Sequence, residues 1–478
     1  MATITGTDHA PPTGPQGAAA GLDLHLVRPH GRVRDSLMEA LRDAIRSGRL
    51  APGARLPSSR TLAADLGVAR NTVARAYSEL VAEGWLASQH GSGTTVSPRA
   101  ADVLRSLTSR RTRPPPRPPD HDLRPGHPDL SSFPREEWSR AVKRALHDAP
   151  TEAFGYADPH GRPELREALA EYLARARGVR SDPDDIVICS GAAEGLDLVA
   201  AALADDGVGA VAVEEFALPT QRLSLTAAGL RCPPLTVDPE GADVRALDTM
   251  PDVGAVVLTP SHQFPLGAPL HSDRRAAVID WARRKGGVVI EDDYDGEFRY
   301  DRSPVGALHG VDPECVVYLG TVSKSLAPGL RLGWFVLPHR LVEAVIRQKG
   351  ETESTCGFVE QLAMADFIRS GAYDRHIRTM RAQYRRRREQ LVAAVSRASP
   401  DTVVAGLPAG LHVVLQLSGG GESRLAGRPP WRRLAVEGLD LYRHPDAESD
   451  RDGVVVGFAA PAPSAWSAAL AALVHLLP

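Results

Sequence analysis

GTVSKSLAPGLRLGW, residues 320–334, is the stretch on which the fold turns. Lys324 stands there between Ser323 and Ser325, just after the apolar run CVVYLGT (315–321), which reads as a buried strand. Arg331 follows seven residues later. A covalent bond to an aldehyde needs a primary amine, which a guanidinium cannot supply. A phosphate on the same aldehyde needs hydroxyl, backbone N–H and guanidinium donors nearby, and Ser323 and Arg331 fit those roles. Lysine is scarce: Lys143, Lys285, Lys324 and Lys349 are the only four among 56 lysines and arginines. A chain that uses arginine wherever a cation suffices keeps lysine where an amine is needed. Alone, Lys324 would read as a solvated surface group; its neighbours and its rarity reverse that reading.

Upstream, VVIEDDYDGEFRY (288–300) places Asp292, Asp293 and Tyr294 at the end of another buried strand. A carboxylate there can pair with a protonated ring nitrogen, and a tyrosine can hydrogen-bond a phenolic oxygen. By itself this segment would be an acidic loop. Further outward, DIVICSG (185–191), VGAVAVEE (208–215), VGAVVLTP (253–260) and GGVVIEDD (286–293) also read as buried strands. Helical segments such as PELREALAEYLARAR (163–177) lie around them. Repeated strand-then-helix implies an α/β body with a mostly parallel sheet covered on both faces.

The N-terminal part has another character. In VRDSLMEALRDAIRS (33–47), Val33, Leu37, Leu41 and Ile45 form one apolar helix face, ended by Gly48. Ser58 or Ser59 can cap a short helix in SRTLAADLG, and Gly67 makes a turn. The helix in ARNTVARAYSELVAEG is expected to bury Val73, Tyr77, Leu80 and Val81 and to expose Arg70, Asn71, Thr72 and Arg75. Two helices joined by a short glycine turn form a helix-turn-helix, whose second helix enters the major groove. WLASQHGSGTTV then reads as a hairpin wing. From Arg28 to Arg99 there are eleven arginines and six acids, a basic footprint on a chain whose net charge is -3.

The 478 residues suit more than one domain, and 43% hydrophobic with 24% charged residues marks a globular chain. Four scattered cysteines argue against a disulfide framework or a zinc site, and no metal ligand set is expected. No apolar run reaches membrane-spanning length, so a cytoplasmic protein is expected. The expected organisation is a disordered tail (1–21), a winged helix-turn-helix (22–98), a Pro/Arg-rich linker (99–122) and the α/β body (123–478). The linker arginines either touch DNA phosphates or are merely solvated. The basic run RHIRTMRAQYRRRREQL (375–391) reads as a solvated helix face, with a second DNA-contact surface as the alternative.

LPSSRTLAADLGVARNTVARAYSELVAEGWLASQHGSGTTV resembles the GntR family nearly throughout. That resemblance implies DNA contacts by Arg60 and Arg70, with Asn71 beside them, Thr72 on phosphate, and His90-Gly91 at the wing tip. The body resembles fold-type I aminotransferases, and the combination resembles the MocR family of regulators. RPGHPDLSSFPREEW (124–138), YADPHGRPELREAL (156–169), SGAAEGLDL (190–198) and TPSHQFPLG (259–267) support it. The implied cofactor is pyridoxal 5'-phosphate. By resemblance Lys324 forms the Schiff base, Asp292 holds the pyridine nitrogen and Tyr294 the phenolic oxygen; Asp293 is disfavoured by family spacing. His262 and Gln263 occupy the segment near that oxygen. Ala192 and Ala193 lie in the phosphate turn, and Tyr156 reaches a neighbouring subunit's phosphate in an implied homodimer.

Departures from the family matter. Leu218 stands where a tyrosine stacks on the ring, and Ala192 and Ala193 stand where hydroxyl or amide side chains are usual. In VVVGFAAP (454–461), Val455 replaces the arginine that clamps a substrate carboxylate; Arg443 and Arg451 are out of register. The leading expectation is a transcription regulator whose head binds double-stranded promoter DNA and whose body senses the cofactor or an amino compound. The alternatives are a working aminotransferase with a DNA-binding appendage, and a regulator whose body only dimerises.

Overall fold

The computed structural model describes residues 33–89, 93–97, 119–156, 158–300, 306–352, 356–417, 421–422 and 433–477. They fall into two compact units, within residues 1–117 and within 118–478.

The first unit contains α1 (Val33–Arg46), α2 (Ser59–Leu66), α3 (Arg70–Ala82), β1 (Leu86–Gln89) and β2 (Gly93–Val96). In α1, Asp35 lies in the first turn and Arg46 in the last, each complementing the helix dipole. Its buried face is Leu37, Met38, Leu41, Ala44 and Ile45. Val33, expected on that face, is 40% exposed, because the core begins one turn further along. Ser58 proves to be the cap of α2: its Oγ accepts from the Thr61 N–H at 3.1 Å. Gly67 ends α2 at φ 65°, in the left-handed region where a side chain is strained. Val73, Ala76, Tyr77 and Leu80 of α3 close the core, and Val81 is half-buried. Each fully buried aliphatic side chain contributes about 1.5–3 kcal/mol. β1 and β2 pair antiparallel, with Leu86 opposite Val96. His90 and Gly91, the expected wing tip, lie outside the described residues.

The second unit is built on a seven-stranded sheet. Its strands are β3 (Ile186–Cys189), β4 (Ala210–Glu214), β5 (Pro234–Leu235), β6 (Val253–Leu258), β7 (Val288–Asp292), β8 (Val316–Thr321) and β9 (Gly333–Val336). The spatial order is β3-β9-β8-β7-β6-β4-β5. Only β9 runs against its neighbours; the other pairings are parallel. β9 begins at the last two residues of the lysine segment and runs past it to Val336, a strand that the apolar runs of the sequence do not mark. The parallel strands are mostly apolar because both faces are covered, with acidic residues only at the carboxyl ends of β4 and β7.

The covering helices are α4 (Arg135–Asp148), α5 (Pro163–Arg177), α6 (Ala192–Asp205), α7 (Pro219–Ala227), α8 (Ser272–Lys285), α9 (His339–Thr352), α10 (Phe358–Arg369), α11 (Ala372–Ala398) and α12 (Trp466–Leu476). A second, antiparallel sheet has the order β10 (Val403–Ala405), β11 (His412–Gln416), β13 (Gly453–Gly457), β12 (Glu437–Gly438). The basic run lies in α11. Not all of it is solvated: Arg387 is buried and pairs with Asp129 at 3.2 Å, because its turn of the helix faces the core beside Tyr384.

Candidate functional site

In a parallel sheet the carboxyl ends of the strands share one edge, where ligands bind. Asp292 closes β7, Thr321 closes β8 just before Lys324, and Cys189 closes β3 just before the Gly191 turn. The segment 259–263 follows β6, Leu218 follows β4, and Arg331 lies two residues before β9 at the same edge. Parallel winding thus gathers most of the expected body residues from five separate stretches of chain.

Lys324 sits in a turn and keeps partial contact with solvent. Its amine is surrounded closely enough that burial lowers its pKa, against the opposing pull of Asp292 and Asp295. Gly126, at φ +73°, lies against it; a Cβ there would come 3.1 Å from Nζ. Asp292 is buried, and desolvation pushes its carboxyl up to about 6. Gln221, on α7 and itself buried, donates from Nε2 to Asp292 Oδ2 at 2.7 Å. Asp292 Oδ1 is buried with no hydrogen-bond partner among the described residues. An orphaned carboxylate oxygen of this kind is costly unless something fills its place. Sequence reading missed Gln221; the available signal was a lone amide on a short helix that opens at Leu218.

Asp293 is committed elsewhere. Its carboxylate accepts from Arg177 Nε at 2.6 Å and Nη2 at 2.9 Å, and from the Tyr318 hydroxyl at 2.8 Å. Arg177 also donates to Ser261 Oγ and the Gly296 carbonyl. The side chain of Tyr294 is buried, and its hydroxyl donates to the His262 carbonyl at 3.1 Å. His262 Nδ1 lies 2.8 Å from Asp295 Oδ2. Gln263, by contrast, has its amide filled by framework groups. Nε2 donates to Glu214 Oε2 and to the carbonyls of Phe216 and Phe264, while its oxygen accepts from Leu266 N–H.

At the other end of the edge, Gly191 caps α6 with φ 102°, outside the comfortable range of a side chain. A Cβ on Gly191 would lie 3.5 Å from Arg331 Nη1, so the guanidinium stands beside this turn. Ala192 and Ala193 form the first turn, where backbone N–H groups lack partners within the helix. The Ser323 Oγ accepts from Thr321 Oγ1 at 2.9 Å. Arg331 itself is exposed and adopts φ 49°, an uncommon conformation for a residue with a side chain.

Three other positions decide what the site can do. Leu218 caps α7 and is 36% exposed, an apolar side chain left open at the edge. Val455 is fully buried in β13, opposite Val414, within a cluster that holds Phe264, Tyr294 and Tyr442. Arg443 pairs with Asp440. Tyr156 is fully exposed and is not brought to the edge within this chain.

The head presents a different surface. Arg34, Arg42 and Arg46 of α1 are paired with Asp35 and Glu79, with Glu39 and Glu83, and with Glu39 and Asp43. Arg60, Arg70 and Arg75 are exposed, with no ion pair among the described residues. Asn71 is exposed and Thr72 half-buried in the first turn of α3, which holds no acid. A helix N-terminus without acids, flanked by free guanidiniums, suits phosphate.

Residues 34–96 match the family described as "Bacterial regulatory proteins, gntR family", and residues 126–428 match "Aminotransferase class I and II". The body fold is shared with solved aminotransferases. An archaeal alanine:glyoxylate aminotransferase superposes with TM-score 0.67 at 22% identity, over 79% of this chain and 94% of that one. LysN, an α-aminoadipate aminotransferase of Thermus thermophilus, gives 0.64 at 22%, over 74% and 91%. The molecule is thus a gntR-type DNA-binding head joined to an aminotransferase-fold body. A Rhizobium meliloti relative described as "Probable rhizopine catabolism regulatory protein MocR" is 33% identical over 88% of this chain and 89% of its own. The pyridoxine biosynthesis transcriptional regulator PdxR of Corynebacterium glutamicum is 33% identical, over 81% and 84%. The chain belongs to the MocR family of transcription regulators.

Proposed function

We propose that the body carries pyridoxal 5'-phosphate on Lys324, and that the state of this site governs how the head acts on promoter DNA. The observation that carries the reading is the buried Asp292 Oδ1, without a hydrogen-bond partner among the described residues, at the edge that also holds Lys324. A protonated pyridine nitrogen, were the group bound, would supply the hydrogen bond this oxygen lacks. When bound, the group supplies an aldehyde that reacts reversibly with primary amines. The chain's own residues prepare for it. Burial of Lys324 favours the neutral, nucleophilic amine. Arg331, Ser323 and the N–H groups of Ala192 and Ala193 would hold the phosphate. Tyr294 and His262 would stand by the phenolic oxygen, and Leu218 would cover a ring face. Gln263 takes no part, since its amide is filled by Glu214 and three backbone groups.

In the head, Arg60, Arg70, Asn71 and Thr72 meet the DNA, Arg70 and Asn71 from the recognition helix. The organisation we propose keeps the head at 22–98, the linker at 99–122 and the body at 123–478. Two bodies form a homodimer in which the exposed Tyr156 reaches the neighbour's site, so two heads address two half-sites in the cytoplasm. The effector is the cofactor itself or an amino compound that reacts with it. Coupling requires that this ligand favour one arrangement of head and body. PdxR's name links a relative to pyridoxine biosynthesis, which supports vitamin B6 genes as targets. Amino-acid turnover is disfavoured: Val455 is sealed in the small sheet and Arg443 is held by Asp440, leaving neither to orient a substrate carboxylate.

The test is the visible absorption of the purified chain with added pyridoxal phosphate, before and after borohydride. A band lost on reduction, with the label on Lys324, is expected. No band at saturating cofactor would mean the body acts without it. Keto-acid formation that disappears in Lys324→Ala would favour an aminotransferase.

A further inference from the structure

Asp292 and Gln221 are 71 residues apart in sequence and meet inside the protein. Both are buried, and the amide donates to Oδ2 at 2.7 Å while Oδ1 has no partner among the described residues. A carboxylate with two equivalent oxygens can rotate and offer either one. Tying one oxygen to a fixed amide removes that freedom and leaves the other presented. The amide is well placed to be rigid. Gln221 sits in the first turn of α7, its N–H donates to the Leu218 carbonyl at 3.0 Å, and its helix opens on Pro219, whose ring fixes φ.

We propose that Gln221 is a positioning residue for the cofactor ring: its amide clamps one oxygen of Asp292 so that Oδ1 is the one offered to the ring nitrogen. This rests on the reading of Asp292 given above. Gln221 has a second effect. Donation to a carboxylate favours its ionised form, the form a protonated ring nitrogen needs. Burial drives Asp292 the other way, up to about 6, and Gln221 opposes it. Lys324 from the turn after β8 also opposes it, while Asp293 and Asp295 on its own loop reinforce it. Glu214 at the end of β4 and Tyr294 also feel its charge. Leu218 and Gln221 thus place a ring-face contact and the carboxylate clamp on one turn of one helix.

The experiment titrates the full-length chain with pyridoxal phosphate from pH 5 to 9, following the absorption of the lysine-bound cofactor. Gln221→Met keeps the side-chain length and removes the donor. Losing a hydrogen bond to a charged group should weaken cofactor binding roughly tenfold or more at neutral pH. The acid limb of the affinity profile should move up by roughly half to one pH unit. Gln221→Glu has the same shape and sets a second carboxyl against Asp292. Its limb should move up further, and it serves if the methionine variant fails to fold. A weakening that is uniform across pH, or affinity equal to wild type, would overturn the clamp and leave Gln221 as packing. Asp292→Asn separates the two readings. If it binds and absorbs like wild type, Asp292 is not the ring carboxylate. If it loses binding while both Gln221 variants behave like wild type, only the inference about Gln221 fails.

Discussion

Arg70 and Arg75 in the head stand in solvent with no carboxylate within reach among the described residues, whereas Arg177 and Arg387 in the body are sealed in protein and each closes on an aspartate. The side chain is the same, but its surroundings assign it different work. An exposed, unpaired guanidinium keeps its charge available to an external polyanion. A buried one must be neutralised where it sits, and its five donors then fix geometry. Even within the head the division holds: the α1 arginines are neutralised by neighbouring acids, and those of α2 and α3 are left open. In the function proposed above, the head therefore acts through charge kept outside, and the body through charge taken out of water at Lys324 and Asp292.

The largest effect is expected at Lys324. Lys324→Ala should abolish covalent retention of the cofactor, read by mass spectrometry after borohydride. Promoter binding should persist in a gel-shift assay but no longer respond to effector; a normal response would exclude the lysine mechanism. Next comes Arg177→Met, which strands Asp293 in the interior. Breaking a buried pair costs about 3–5 kcal/mol, so the body's denaturation midpoint should fall sharply while the head's helix signal survives. Arg70→Ala should then weaken specific promoter binding by about 1–3 kcal/mol, read by titration, with the body's spectrum unchanged. A smaller effect is expected from pH. Asp292 is pushed up to about 6, so its ionised form, and with it cofactor affinity, should decline as pH falls through that value. An affinity flat from pH 5 to 8 would remove Asp292 from the ring nitrogen. The smallest effect belongs to Arg42→Ala, which breaks an exposed pair with Glu83 worth about 1 kcal/mol or less. If it reduced promoter binding as much as Arg70→Ala, the distinction between paired and free arginines would collapse.

Much of this was legible in the sequence, and for local reasons. Ser58 and Gly67 bracket α2 because capping and left-handed turns depend on residues within one turn of the chain. The five strands reading as apolar runs appear within a residue or two of their expected places, since burial on both faces demands continuous Val, Ile and Leu. Lys324 stood out through its serines, Arg331 and the rarity of lysine. The antiparallel β9, which begins where that stretch ends, was not legible, since strand direction is set by pairing partners rather than by composition.

The sequence by itself determined the two-part organisation, the helix Arg70–Ala82, the strand-helix alternation and the candidacy of Lys324, because each is written in neighbouring residues. It did not determine which of two adjacent aspartates is free. Asp292 and Asp293 were separated by family spacing alone, and the structure supplies the physical ground. Arg177, 116 residues away, fills the carboxylate of Asp293, while Gln221 takes one oxygen of Asp292 and leaves the other open. Nor did it separate His262 from Gln263, whose amide is occupied by Glu214 and by backbone groups that only packing brings near. Partners distant in the chain are chosen by tertiary packing, and at this site the choice of partner decides which polar atom is left for a ligand.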